Sequence, residues 1–217
     1  MGSTLDPRAT AAAEAALPSP LPLFPLPLVL FPGGLLPLKV FEARYLDMVG
    51  NCLRTQQPFG VVCLREGAEV GRGPARLERV GVLARILEVD SEQSGILKLH
   101  CIGTHRFRLR GAAAQRADGL WTAPAETIDD DEPLAPAEAL LPTVQALAQA
   151  AEALKDEGME PFAVPLRLDD AGWVANRWCE ILPISLAAKQ RLMELEDAAT
   201  RLTLIDEFLR SKQVVRG

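Results

Sequence analysis

Residues that carry chemistry are scarce in this sequence. Its 217 residues include two histidines and four cysteines. Cys52, Cys63, Cys101 and Cys179 stand 11, 38 and 78 residues apart, without the close ligand pairs a zinc site needs. They read as buried, reduced thiols of a cytosolic protein. No GxxxxGK(S/T) phosphate loop occurs, because the glycines at 33–34 and 71–73 lack the lysine–hydroxyl pair. No run approaches the roughly 20 apolar residues of a membrane span. Residues 1–20 carry one basic group, Arg8, and the apolar stretch after them is broken by prolines, so no secretion signal is read. These absences point to a cytoplasmic protein with no membrane partner, metal or cofactor. A basic excess is also missing. The net charge is −6 and the pI about 5.1, which argues against broad nucleic-acid binding.

Proline and aliphatic residues are plentiful instead. Leu21 to Tyr45 reads LPLFPLPLVLFPGGLLPLKVFEARY. It is apolar but cannot be helical, since Pro22, Pro25, Pro27, Pro32 and Pro37 remove backbone donors and push the residues before them to extended conformations. It reads as two strands, Phe24 to Phe31 and Leu36 to Phe41, around a turn at Pro32 to Gly34. Its prolines assign the first strand to a sheet edge. A helix follows from Glu42 to Arg54.

Further strands are read at Phe59 to Leu64, Leu77 to Asp90, Ile96 to Arg110 and Gly119 to Ala125, with a loop over 66–74 and a turn over 91–95. Alternation is clearest in Ile96 to Arg110. Leu97, Leu99, Cys101, Phe107 and Leu109 fall on one side, and Lys98, His100, Thr104, Arg106, Arg108 and Arg110 on the other. About six strands with short connections and one helix suit a small closed or partly closed antiparallel barrel. From Pro136 the period becomes helical, with Leu140, Val144, Leu147, Ala151 and Leu154 on one stripe. Three more helices follow, with Asp169 or Asp170, Ser185 and Asp197 as N-caps. Charge divides at the same place. Leu21 to Glu126 carries 13 basic and 10 acidic residues (+3), Thr127 to Gly217 carries 9 and 17 (−8), and the first 20 residues add −1. The expected organisation is a tail over 1–20, a β-rich part over 21–127 and a helical part over 128–217.

Three blocks of sequence resemble the N-terminal domain of Lon proteases, which also occurs as a stand-alone bacterial protein. The first is Leu21 to Tyr45, with its hydrophobic-Phe-Pro-Gly turn and FEARY. The second is ERVGVLARI (Glu78 to Ile86) with GTHRFRL (Gly103 to Leu109). The third is NRWCEILP (Asn176 to Pro183) with KQRLME (Lys189 to Glu194). The resemblance implies an α+β fold, a PUA-like β pseudo-barrel followed by a C-terminal bundle of about four helices. It implies substrate recognition without the ATPase and serine–lysine peptidase that full Lon proteases add.

The candidate residues follow from both readings. Phe24, Phe31, Phe41 and Tyr45 form a candidate peptide-binding set, walls of an apolar cleft that takes an unfolded or partner polypeptide beside the edge strand. The alternative is a lock between helix and barrel. Arg106 and Arg108 are a weaker candidate anion site, the basis of an alternative reading as a small-molecule or RNA-binding module. Against it stands the lack of aromatics on that face. Arg106 is equally suited to anchoring a loop through bidentate hydrogen bonds. His105, on the apolar side of its strand, reads as a packing histidine or a proton carrier. Asp129 to Glu132 reads as a solvated linker. Ser185 reads as a helix cap, with Lys189 one turn on as a weak nucleophile partner.

Overall fold

The computed structural model describes residues 17–65, 76–93 and 95–215. Most of the expected tail, the loop over 66–74 and part of the 91–95 turn lie outside the described residues. Eight strands form one mixed sheet: β1 (Leu21–Leu26), β2 (Leu35–Val40), β3 (Phe59–Cys63), β4 (Val80–Gln93), β5 (Ile96–Leu109), β6 (Ala114–Gln115), β7 (Trp121–Ala123) and β8 (Ala125–Thr127). Their order is β2-β5-β4-β3-β1-β7-β6, and β8 also pairs with β5. Helix α1 (Ala43–Thr55) lies between β2 and β3. Helices α2 (Leu141–Asp156), α3 (Ala171–Ile181), α4 (Leu186–Glu194) and α5 (Ala198–Ser211) complete the α+β fold. The caps of α3, α4 and α5 are Asp170, Ser185 and Asp197, each accepting backbone N–H groups of its first turn.

The first two strands do not form a hairpin. β1 pairs in parallel with β3 and antiparallel with β7, while β2 pairs with β5 at the far end of the order. Residues 27–34 carry the chain past three intervening strands. Nor is β1 an edge strand. Its partners overlap only at Leu23: Leu21–Leu23 pair with β7 and Leu23–Leu26 with β3. Pro22 and Pro25 therefore each have a single registered neighbour, so a missing N–H is tolerated in an internal strand.

Two hydrophobic clusters hold the fold. The smaller contains Leu21, Leu23, Val62, Leu83, Phe107, Leu109 and Ala123, all from strands, so the sheet curls around them as a partly closed barrel. The larger joins the opposite face of the strands to α1 and the four C-terminal helices, from Phe31, Tyr45 and Leu99 to Trp178, Leu202 and Leu209.

Candidate functional site

The three sequence blocks meet in one seam between strands and helices. The turn after Phe31 needs glycines. Gly33 has φ +76°, and a Cβ on it would sit 3.2 Å from Nη1 of Arg177. Gly34 lies against the Glu180 carboxyl, where a side chain has no room. Arg177 is fully buried and donates to the Gly33 carbonyl at 2.5 Å, the Pro32 carbonyl at 2.8 Å and Oε1 of Glu180 at 2.8 Å. Its guanidinium also lies 5.6 Å from the Trp173 ring centre and 6.0 Å from that of Phe162. Burial pulls the Arg177 pKa down against the pull of Glu180. Burial also pushes Glu180 up to about 7, with Arg177 and Lys189 opposing it. Lys189 Nζ donates to the Glu180 carbonyl at 2.9 Å, and Ser185 Oγ accepts from Ala188 N. This is helix capping and turn anchoring, with no serine–lysine pair.

A second buried network lies alongside. Arg106 is 3% exposed and donates to the carbonyls of Leu195 (2.8 Å), Met193 (3.3 Å) and Asp129 (3.2 Å), and to Oδ1 of Asp131 at 2.8 Å. Arg201, also buried, binds Oδ2 of Asp131 at 2.6 Å, Oδ1 of Asn176 at 3.1 Å and the Leu192 carbonyl at 2.9 Å. Two arginines thus satisfy the carbonyls at the end of α4 and clasp one aspartate of the segment joining the β-rich and helical parts. Asp131 is therefore not part of a solvated linker, although Asp129, Asp130 and Glu132 are exposed. Arg106 is an anchor and presents no anion-binding surface. Arg108 is exposed and reaches Glu196 at 3.4 Å.

His105 stands opposite to expectation. It is exposed, with Nδ1 2.9 Å from Oδ1 of Asp130. The cause is a bulge: Val82 pairs with Arg106 but Ala84 with Gly103, so β5 carries one extra residue there. Side-chain parity reverses across it, turning Arg106 towards the helices and His105 outward. His105, Asp130, Arg167, Thr104 and Trp173 line a polar cleft of about 670 Å³. Among the described residues no group of His, Cys, Asp and Glu is placed to hold a metal ion.

Of the aromatic set, three members are core. Phe31 is fully buried, Tyr45 is 6% exposed and Phe24 is 8% exposed. Phe24 stacks on Tyr45 with ring centres 4.0 Å apart, so α1 consumes the apolar surface that a groove would have used. These three cannot wall an open cleft. Phe41 alone is exposed, at 65%.

Phe41 directly follows β2, the terminal strand of the order. Gly103 N donates to the Gly34 carbonyl, which sets 34, 36, 38 and 40 as the residues bonded to β5. Leu35, Pro37 and Lys39 therefore turn their backbone groups away from β5. Leu35, Pro37 and Lys39 also expose their side chains, as does Phe41 just past the strand. Pro37 has no N–H in that outward slot, which blunts the edge against continuous strand pairing. Sequence reasoning missed Arg177, Glu180, Asp131 and Arg201. The Asn-Arg-x-x-Glu spacing, which places Arg177 and Glu180 on one helix face, was the available signal.

Known proteins resemble this chain in sequence and fold. Residues 20–211 match the ATP-dependent protease La (LON) substrate-binding domain. The Lon protease of Anaeromyxobacter dehalogenans is 28% identical over 206 residues, covering 92% of this chain and 24% of that protein. Lon protease 2 of Myxococcus xanthus is 28% identical, with 92% and 24% covered. The chain thus spans about a quarter of the length of these relatives. Among solved structures, the Lon N-terminal domain protein from Xanthomonas campestris superposes with a TM-score of 0.69 at 31% identity, covering 85% of this chain and 95% of that one. With a match across nearly all described residues and a superposition of this extent, the chain belongs to the Lon substrate-binding domain family.

Proposed function

We infer that this chain is a non-catalytic polypeptide-recognition module, and that it takes extended segments along the outer side of β2. The observation that carries the reading is the exposed apolar surface of Leu35 and Pro37 on the terminal strand β2 and of Phe41 just past its end, with Lys39 between them. Large exposed apolar patches mark contact surfaces. Pro37 limits the backbone bonds an added strand can make, so side-chain contact dominates, which suits clients of varied sequence. The family's description as a substrate-binding domain supports polypeptide as the ligand class. No helix among the described residues is long and apolar enough to cross a membrane. RNA binding loses its basis with Arg106 buried and Arg108 facing Glu196. The test is capture of a permanently unfolded model protein by fluorescence anisotropy. Phe41→Ser with Leu35→Ser should weaken capture about tenfold or more while the thermal melt is retained, since both residues are solvent-facing. Undiminished capture by the folded double variant refutes the β2 surface. ATP turnover or casein cleavage that is lost on changing a residue of this chain refutes the non-catalytic reading.

A further inference from the structure

The opposite end of the long β4–β5 pair carries a surface of different chemistry. Arg65, just after β3, and Arg76 and Arg79, just before β4, converge with Leu77, Leu109 and Ala113 on a cleft of about 500 Å³. All three arginines are exposed. Arg65 pairs with Glu78 at 3.2 Å. Among the described residues the rim carries these three guanidinium groups and one paired carboxylate, Glu78. Leu109 is buried beneath it as part of the strand-only core, and Leu77 and Ala113 pack against that core half-exposed. The result is an apolar floor with a guanidinium rim.

We propose that this cleft is a docking surface for an acidic, apolar-containing polypeptide segment. The rim matches carboxylates, to which arginine offers paired N–H donors. The floor matches aliphatic side chains. Nucleic acid fits poorly, because none of the residues lining the cleft is aromatic and base stacking has no platform. The surface lies beyond the end of β5 that pairs with β8, whereas β2 pairs with the other end, so it is separate from the β2 surface.

The probes are three fluorescent ligands of equal length: a peptide alternating glutamate and leucine, one alternating glutamate and glycine, and a single-stranded oligodeoxynucleotide. The Glu-Leu peptide should bind most tightly, and its affinity should fall about tenfold or more in the Arg76→Glu, Arg79→Glu double variant. Raising salt from about 50 to 300 mM should also weaken it. Both positions are exposed, and Arg79→Gln alone, giving an intermediate loss, guards against a folding defect in the double variant. The proposal is overturned by an unchanged affinity in the folded double variant, by no binding of the Glu-Leu peptide, or by equal binding of the Glu-Gly peptide or the oligonucleotide.

Discussion

Glu180 and Arg177 share one ion pair, but the pair does not cancel the cost of burying the carboxylate. Desolvation raises Glu180 from 4.5 to about 7 despite Arg177 at 2.8 Å and Lys189 nearby. A carboxyl raised in the folded state binds its proton more tightly there than in the unfolded chain. Its stabilising contribution is therefore complete below about pH 4.5 and is lost as pH rises through about 7. A fifth of the side chain reaches solvent, so about 1–2 kcal/mol is a fair size for the effect. Urea melts at pH 5 and pH 7.5 should show that much more loss in the wild-type protein than in Glu180→Gln. Equal losses in the two proteins contradict the raised pKa. Arg177 is the stricter requirement, because its removal strands two carbonyls and a buried acid together.

At the scale of elements, β5 carries the most information. Simple alternation assigns His105 inward and Arg106 outward. The bulge between Gly103 and Arg106 reverses both. His105→Ala should cost under about 0.5 kcal/mol, because His105 and its partner Asp130 are both exposed. Arg106→Ala should cost about 3–5 kcal/mol, since it leaves Asp131 and three carbonyls short of a buried donor. Denaturant melts of the two variants decide the matter, and a larger loss for His105→Ala would restore the unbulged register. The helices were more legible than the strands. The starts of α3, α4 and α5 were written in Asp170, Ser185 and Asp197, because a cap acts on backbone within its own turn. A strand's partner is chosen by residues far away in the chain, and nothing within Leu21–Leu26 names β3 or β7.

For the whole molecule, the main question is whether the β-rich and helical parts behave as one body. The larger core cluster runs through both, and the two arginine networks bolt them together. The charge shift at Thr127 marks where strands give way to helices, yet the packing crosses that point. Unfolding should therefore be a single transition. In a Trp121→Phe variant, which removes the tryptophan of β7, Trp173 and Trp178 report the helical part by fluorescence, far-UV circular dichroism reports all elements, and the two curves should coincide. A fragment ending at residue 127 would expose the helix-facing side of its core and should show no cooperative melt. Separate transitions, or a stably folded fragment, would show two independent domains.

The sequence by itself determined the α+β class, the order of elements, the helix caps, the proline-enforced extension of Leu21 to Leu38 and the family. These depend on local backbone chemistry or on motifs read in order along the chain. Only the tertiary structure decided where the apolar excess of that opening segment goes. Phe24, Phe31 and Tyr45 could face a groove or a core with the same sequence, and α1 and the C-terminal helices took them into the core. Tertiary contacts also decided that Arg106 is an anchor, that β1 lies inside the sheet and that Arg65, Arg76 and Arg79 share one cleft. Each outcome joins residues distant in the chain, and burial is a property of what covers a side chain rather than of the side chain itself.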